Sequence, residues 1–190
     1  MGKLIISTHI TVDGVIGPSP QDWAILEGEG EGEGERYKFD QLLAADAFLL
    51  GRKVYEGLAS AWPTITDDTG FAERVNSTPK YVASRTLQEP LEWNASLIKG
   101  DLAESVAGLK RQHRGNLISF GCGELAAELA TQGLADEIHF WVNPVVWGSG
   151  DRAFHGRQVR MQLIATTTFD SGVTLLCYRP APDQPPRRDT

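Results

Sequence analysis

Apolar residues in this chain fall into short dense runs separated by stretches with helical spacing. Lys3 to Ile10 is β-branched and apolar and reads as a buried strand, and Val12-Asp13-Gly14-Val15-Ile16-Gly17 follows it as a turn. Arg36 to Ala45 predicts a helix with Phe39, Leu42 and Leu43 on one side. Ala47-Phe48-Leu49-Leu50 reads as a strand ending at Gly51, and Val54 to Ala61 as a short helix that Pro63 terminates. Lys80 to Ser84 is a further strand and Ser96 to Ile98 a shorter one. Asp101-Leu102-Ala103-Glu104 matches a capping box with Asp in place of Ser or Thr, and it opens a helix to about His113. Leu117 to Phe120 is a strand, Glu124 to Thr131 a helix closed near Gly133, and Ile138 to Val142 the next strand. Met161 to Phe169, Ser171-Gly172 and Val173 to Tyr178 form a hairpin pattern. Eight strands that first alternate with helices and then close as a pair predict one α/β domain over residues 1–179, built on a mixed sheet.

Two segments stand outside this pattern. Residues 27–35 alternate strictly between Glu and Gly; they offer nothing to a core and their charges repel, so a flexible loop is expected. A lid over a substrate and a weak calcium site are the alternatives for it. Pro180 to Thr190 is proline-rich and polar and is expected to be a disordered tail.

Charge narrows the function. A formal net charge of -7 over 190 residues disfavours non-specific binding to nucleic acid or an anionic membrane, so an anionic ligand has to be held by a local basic cluster. Cys122 and Cys177 have no metal spacing and form no disulfide framework, and His9, His113, His139 and His155 have no ligand spacing, so no metal site is expected. Reduced cysteines, a first strand with no leader before it and no run of membrane-spanning length point to a cytoplasmic protein. Met1-Gly2 resembles the start of a myristoylation signal, but Ile6 stands where Ser or Thr is needed.

Chemistry enters where an apolar strand runs through glycine into a helix, and this happens twice: at Leu50-Gly51-Arg52-Lys53 and at Phe120-Gly121-Cys122-Gly123-Glu124-Leu125. A helix start has free N–H groups and a partial positive charge, and glycine lets a phosphate approach the backbone. Two such junctions, one carrying Arg52 and Lys53, point to a dinucleotide held at both ends. The bland alternatives are an ordinary strand–helix turn with solvated cations at the first and close packing of helix on strand at the second.

The order and spacing of several motifs carry a family resemblance. They are Ser7 and the Val12–Gly17 turn with Trp23 after it, Asp46 to Tyr55, Tyr81-Val82-Ala83-Ser84-Arg85-Thr86, Gly121 to Leu125, Gly133 to Ile138, and Asn143-Pro144-Val145-Val146-Trp147-Gly148-Ser149-Gly150. From Lys3 to Arg179 the chain resembles the dihydrofolate reductase-like superfamily. Within it, the chain is most similar to stand-alone proteins related to the C-terminal reductase domain of the bifunctional riboflavin-biosynthesis deaminase/reductase. The resemblance implies a three-layer α/β fold: a mixed, mostly parallel eight-stranded sheet flanked by helices, with a C-terminal β-hairpin. It implies NADPH across the carboxyl ends of the central strands, with Gly121, Cys122 and Gly123 on the pyrophosphate and Glu124 and Leu125 following. Gly51, Arg52 and Lys53 would meet the adenosine side and Ser84, Arg85 and Thr86 the 2′-phosphate, while Gly17 belongs to the turn lining the cofactor.

A small-molecule substrate, pyrimidine- or pterin-like, would lie near Asp13, Trp23 and Asp40, and the protein would form a homodimer. No residue stands out as the proton donor. The pterin-binding carboxylate of a dihydrofolate reductase has no matching motif here, Glu35 and Asp40 being the candidates, and no H-x-E followed by P-C-x-x-C marks a deaminase half. The competing reading is a non-catalytic NADP-binding sensor or interaction module.

Overall fold

The computed structural model describes residues 2–16 and 32–181. Among these, the chain runs β1 (Leu4–Thr11), α1 (Glu33–Leu43), β2 (Ala45–Gly51), α2 (Arg52–Ala61), a 3-10 turn (Trp62–Thr64) and α3 (Phe71–Ser77). It continues through β3 (Lys80–Ala83), β4 (Ala95–Leu97), α4 (Leu102–Gln112), β5 (Asn116–Phe120), α5 (Glu124–Thr131) and β6 (Glu137–Asn143). A second 3-10 turn (Ala153–Gly156) then leads to β7 (Met161–Thr168) and β8 (Thr174–Pro180).

All eight strands join one sheet in the order β4-β3-β2-β5-β1-β6-β8-β7. The six strands from β4 to β6 are parallel, and β8 and β7 add an antiparallel pair at one end. Parallel strands covered on both faces favour apolar residues at successive positions, which is why Leu4-Ile5-Ile6 of β1 and Ala47-Phe48-Leu49-Leu50 of β2 read as unbroken runs. Leu4, Ile6, Ala47, Leu49, Leu117 and Ile138 face one core, closed by Val106 and Leu109 of α4 and by Ala126, Ala127 and Leu129 of α5. Ile5, Phe48, Leu50, Val82 and Ile118 face the other, closed by Leu42 of α1, Tyr55 of α2 and Val75 of α3. Helices thus form the outer layers of a three-layer stack.

Several element bounds differ from the sequence reading. α1 begins at Glu33, so the last part of the Glu-Gly repeat is helix and not loop. Glu33 and Glu35 lie in the first turn, where acidic side chains complement the helix dipole, and Glu35 pairs with Lys38 at 2.8 Å. Residues 27–31 of the repeat, Gly17, Trp23 and residues 182–190 lie outside the described residues. α2 starts at Arg52 directly after Gly51, two residues earlier than its apolar pattern. α3 was not expected at all: it has only seven residues, and it is nucleated by Asp67, whose carboxylate accepts from the N–H groups of Thr69, Phe71 and Ala72.

Lys80 is the unusual core residue. Only 1% exposed, it donates to the carbonyls of Val75 and Asn76 at the end of α3 at 2.6 and 2.7 Å, with its ammonium 4.1 Å from the Trp93 ring centre. A charge at that depth survives because the last carbonyls of a helix have no partners of their own.

Candidate functional site

The helix after β2 packs on one face of the sheet and the helix after β5 packs on the other, although these strands are neighbours. Connections that diverge in this way mark the crevice position at the carboxyl ends of the two strands, where open α/β sheets bind ligands. Gly51 ends β2 and Gly121 follows β5, so both glycine junctions stand at this crevice.

The two junctions fit against each other. A Cβ on Gly51 would lie 3.6 Å from Leu125 of α5, and one on Gly121 would lie 3.2 Å from Val54 of α2. Gly121 also has φ +83°, a conformation that L side chains rarely adopt, and its N–H donates to the Ser7 carbonyl at 3.1 Å. A Cβ on Gly123 would come 3.5 Å from His155 Nε2. A side chain is disfavoured at Gly121, while a Cβ at Gly51 or Gly123 would only reach ordinary contact distance at the rim of the cradle between the helix starts.

β3 brings the third loop. Its last residue, Ala83, pairs with Gly51, so Ser84 and Arg52 leave neighbouring strand ends. Ser84 Oγ accepts from the N–H groups of Thr86 and Leu87 at 3.2 and 3.0 Å, a turn that leaves Arg85 and Thr86 exposed. Arg52 and Lys53 are exposed in the first turn of α2, Arg52 reaching Glu56 at 3.4 Å. Cations at a helix start oppose the dipole, and a bound anion would relieve that conflict. Glu124, exposed in the first turn of α5, does the reverse: it favours the helix and competes with a phosphate there. Cys122 is buried and its thiol is pushed up to about 12 by that burial, so this residue offers its backbone and no thiolate.

On the α1 side of β1 and β6 lies a second group. His9 and Trp141 are register partners and stack at 5.7 Å between ring centres; Phe169 stacks on Trp141 at 5.5 Å, and Tyr37 meets both Trp141 and Phe169 edge-on. Lys38 Nζ sits 5.6 Å from the Trp141 ring centre, and Trp141 Nε1 donates to Ser7 Oγ at 3.1 Å. Asn143, fully buried, turns its amide nitrogen to His9 Nδ1 at 3.3 Å and to the carbonyls of Ile10 and Trp141. That nitrogen can only donate, so His9 Nδ1 is the acceptor and the ring proton is on Nε2. Burial, then the charge of Lys38, lowers the His9 pKa to about 3, so the imidazole is neutral at any working pH. Asn143 Oδ1 is buried with no protein partner among the described residues.

Asp13 and Asp40, the carboxylates expected near the substrate, lie in the turn after β1 and on α1. Asp13 accepts from Thr11 Oγ1 at 2.6 Å and from the N–H groups of Trp147 and Gly148 at 3.3 and 2.9 Å. These bonds, the Thr11 hydroxyl first, hold its carboxyl below the usual range. It clamps the turn after β1 to the Gly148 loop as a carboxylate and is no proton donor. Gly150 completes the clamp, since a Cβ there would meet Val15 at 2.6 Å. Asp40 shares the solvent face of α1 with Arg36 and Leu43, while Tyr37, Lys38 and Gln41 turn toward the sheet. The aromatic group escaped the sequence reading because its members come from β1, α1, β6 and the β7–β8 turn. The available signal was the position of His9 and Trp141 on odd-numbered strand positions, the face α1 covers.

The family model of the RibD C-terminal domain matches residues 2–175. The chain belongs to the RibD C-terminal domain family. This RibD C-terminal domain protein is 29% identical over 183 residues to the uncharacterized protein YyaP of Bacillus subtilis (strain 168), a match spanning 93% of this chain and 94% of that one. Its fold matches the crystal structure of a candidate riboflavin biosynthesis protein from Shewanella sp. PV-4 with a TM-score of 0.73 at 17% identity, over 96% of this chain and 100% of that one. Dihydrofolate reductase from Enterococcus faecalis complexed with NADP(H) matches with a TM-score of 0.60 at 15% identity, over 94% and 96% of the two chains. The RibD C-terminal domain seen here therefore has the dihydrofolate reductase-like fold, with a mixed, mostly parallel eight-stranded sheet and a terminal antiparallel pair. No helix among the described residues is long and apolar enough to cross a membrane.

Proposed function

We propose that this protein is an NADPH-dependent reductase that acts on a small planar substrate, of the kind that reduces 5-amino-6-(5-phosphoribosylamino)uracil. The observation that supports it best is that the loops at 51–53, 84–86 and 121–123 leave the carboxyl ends of three adjacent parallel strands, β2, β3 and β5. Gly121 to Gly123 hold the pyrophosphate in this reading, Cys122 and Gly123 through their backbone N–H groups and Gly121 by leaving room for the anion, its own N–H being bonded to the Ser7 carbonyl. Arg52 and Lys53 neutralise the adenosine side, and Ser84, Arg85 and Thr86 take the 2′-phosphate. The bound nucleotide supplies the hydride. The chain's own task is orientation: the Asp13 clamp fixes the turn after β1, and the stack of His9 with buried Trp141 and Phe169 keeps β1 and β6 rigid beneath α1.

Calorimetric titration with NADPH and with NADH tests the reading. Micromolar NADPH binding with much weaker NADH binding is expected. Arg85→Ala removes a charge-assisted hydrogen bond of roughly 1.5–3 kcal/mol and lowers NADPH affinity by about ten- to a hundred-fold, with little change for NADH. If neither nucleotide binds, the glycine junctions serve packing alone. One observation favours the sensor reading: Asp13 is consumed by structural bonds and Asp40 faces away from the sheet. Steady-state NADPH oxidation with candidate substrates separates turnover from binding without it.

A further inference from the structure

We infer that Tyr81, His113 and Asp46 form a second reactive centre, at which the Tyr81 hydroxyl takes an acyl group from activated esters. The three come from β3, from the residue after α4 and from the start of β2. Asp46 and His113 lie at the amino ends of β2 and β5, whereas Gly51 and Gly121 lie at their carboxyl ends, so the inference does not depend on the nucleotide reading. Tyr81 Oη and His113 Nε2 are 3.2 Å apart, and His113 Nδ1 lies 4.0 Å from Asp46 Oδ2. Gln112 Nε2 donates to the phenol oxygen at 3.4 Å. That contact leaves the phenol hydrogen for His113 Nε2, which puts the ring proton on Nδ1, on the side of the carboxylate. Nucleophile, base and orienting acid thus follow one another in a single direction.

A contact that merely tied β3 to α4 would need nothing behind the imidazole. Here room is kept for the carboxylate: Asp46 Oδ2 accepts from the Gly115 N–H at 2.6 Å, and a Cβ on Gly115 would lie 2.5 Å from Asp46 Oδ1. The Tyr81 and His113 rings meet edge-on at 5.7 Å between centres. Both residues are half-buried, and exposed Gln112 brings the phenol oxygen to the surface. In the reaction, the phenol oxygen bonds to the acyl carbon as its proton passes to His113 Nε2. Collapse of the tetrahedral adduct breaks the ester bond, and the leaving oxygen takes up that proton. The resulting ester of a phenol is itself activated, so water, deprotonated by the same nitrogen, releases the carboxylic acid and restores Tyr81. Asp46 touches no reacting atom and is a positioning residue.

Para-nitrophenyl acetate added to the full chain tests this, with nitrophenol release followed by absorbance and the acetyl group located by peptide mass spectrometry. In wild type, Tyr81 is expected to be acetylated ahead of Tyr37 and Tyr178, which are half-buried to a similar degree. This comparison needs no variant to fold. General-base assistance is worth about 10²–10⁴-fold, so His113→Ala slows acetylation of Tyr81 by at least about a hundredfold. Added imidazole is expected to restore it, an outcome that damage to packing would not give. Asp46→Asn slows the step about tenfold or more and adds nothing on top of His113→Ala, because it acts only through that ring. Acetylation of Tyr81 no faster than that of Tyr37 or Tyr178 would overturn the inference. So would a His113→Ala protein that reacts like wild type or that imidazole fails to restore, and so would independent, additive losses at His113 and Asp46.

Discussion

Gly121 and Gly57 provide a paired test of the crevice, because the same substitution has opposite expected signs at the two sites. Gly121 has φ +83°, and a Cβ there would press on Val54 at 3.2 Å. Holding an L-residue in that region costs roughly 1–2 kcal/mol, and the shift of Val54 adds to it. In a domain of this size each kcal/mol moves the melting midpoint by about 2–4 °C, so Gly121→Ala is expected to melt several degrees lower. Gly57 lies exposed inside α2 with nothing within 4 Å of its Cβ position. There Gly57→Ala stabilises by about 0.5–1 kcal/mol and raises the midpoint by a few degrees. Calorimetry then separates cradle from scaffold: Gly121→Ala loses about tenfold or more in NADPH affinity, while Gly57→Ala binds as wild type. Equal melting of wild type and Gly121→Ala, or undiminished NADPH binding by the latter, would refute the idea that this glycine is needed for both the turn and the ligand.

Other expectations concern the frame of the sheet. Burial lowers the Lys80 pKa from 10.5 to about 8. Between those values the unfolded chain binds more protons than the folded one, so wild-type stability gains with rising pH, by about 3 kcal/mol at most. The difference in urea-unfolding free energy between wild type and Lys80→Met is expected to grow across that window in favour of wild type; a constant difference would mean that the helix-end carbonyls keep the ammonium charged throughout. Gly2→Ala would drive a Cβ to 1.8 Å from the Gly115 carbonyl oxygen, so the start of β1 must separate from the β5 approach. A clear fall in melting temperature is expected, and a wild-type midpoint would show that this end of the sheet yields freely.

How much of this was readable in the sequence depends on where each signal resides. β1, β2, β5 and β6 are runs buried on both faces, and each glycine junction is a local strand–turn–helix unit, so both were legible one segment at a time. α3 was not, because a seven-residue helix held by Asp67 has too few turns to show periodicity. The first turn of α1 was hidden inside the Glu-Gly repeat, where composition argues for loop while the helix dipole and the Glu35–Lys38 pair argue for helix. Strand order was beyond local reading as well: β5 enters between β2 and β1, a placement decided by packing across the whole chain. The stack of His9, Tyr37, Trp141 and Phe169 depends on that placement, and so does the fate of Asp13, whose partners Trp147 and Gly148 lie far along the chain.

The position of β1 has a consequence for the chain as it is made. Its two neighbours are β5 and β6, so Leu4 waits for Leu117 and Thr11 for Asn143. At ordinary rates of synthesis, this apolar strand emerges on the order of ten seconds before either partner exists. Contacts of such long sequence separation also slow folding once the chain is complete. A run such as Leu-Ile-Ile-Ser-Thr-His-Ile, uncharged and rich in β-formers, is during that interval an open template for intermolecular pairing. The strand near the middle of the finished sheet is therefore the part of the nascent chain that most needs shelter, and lesions in β5 or β6 would show first as aggregation through β1.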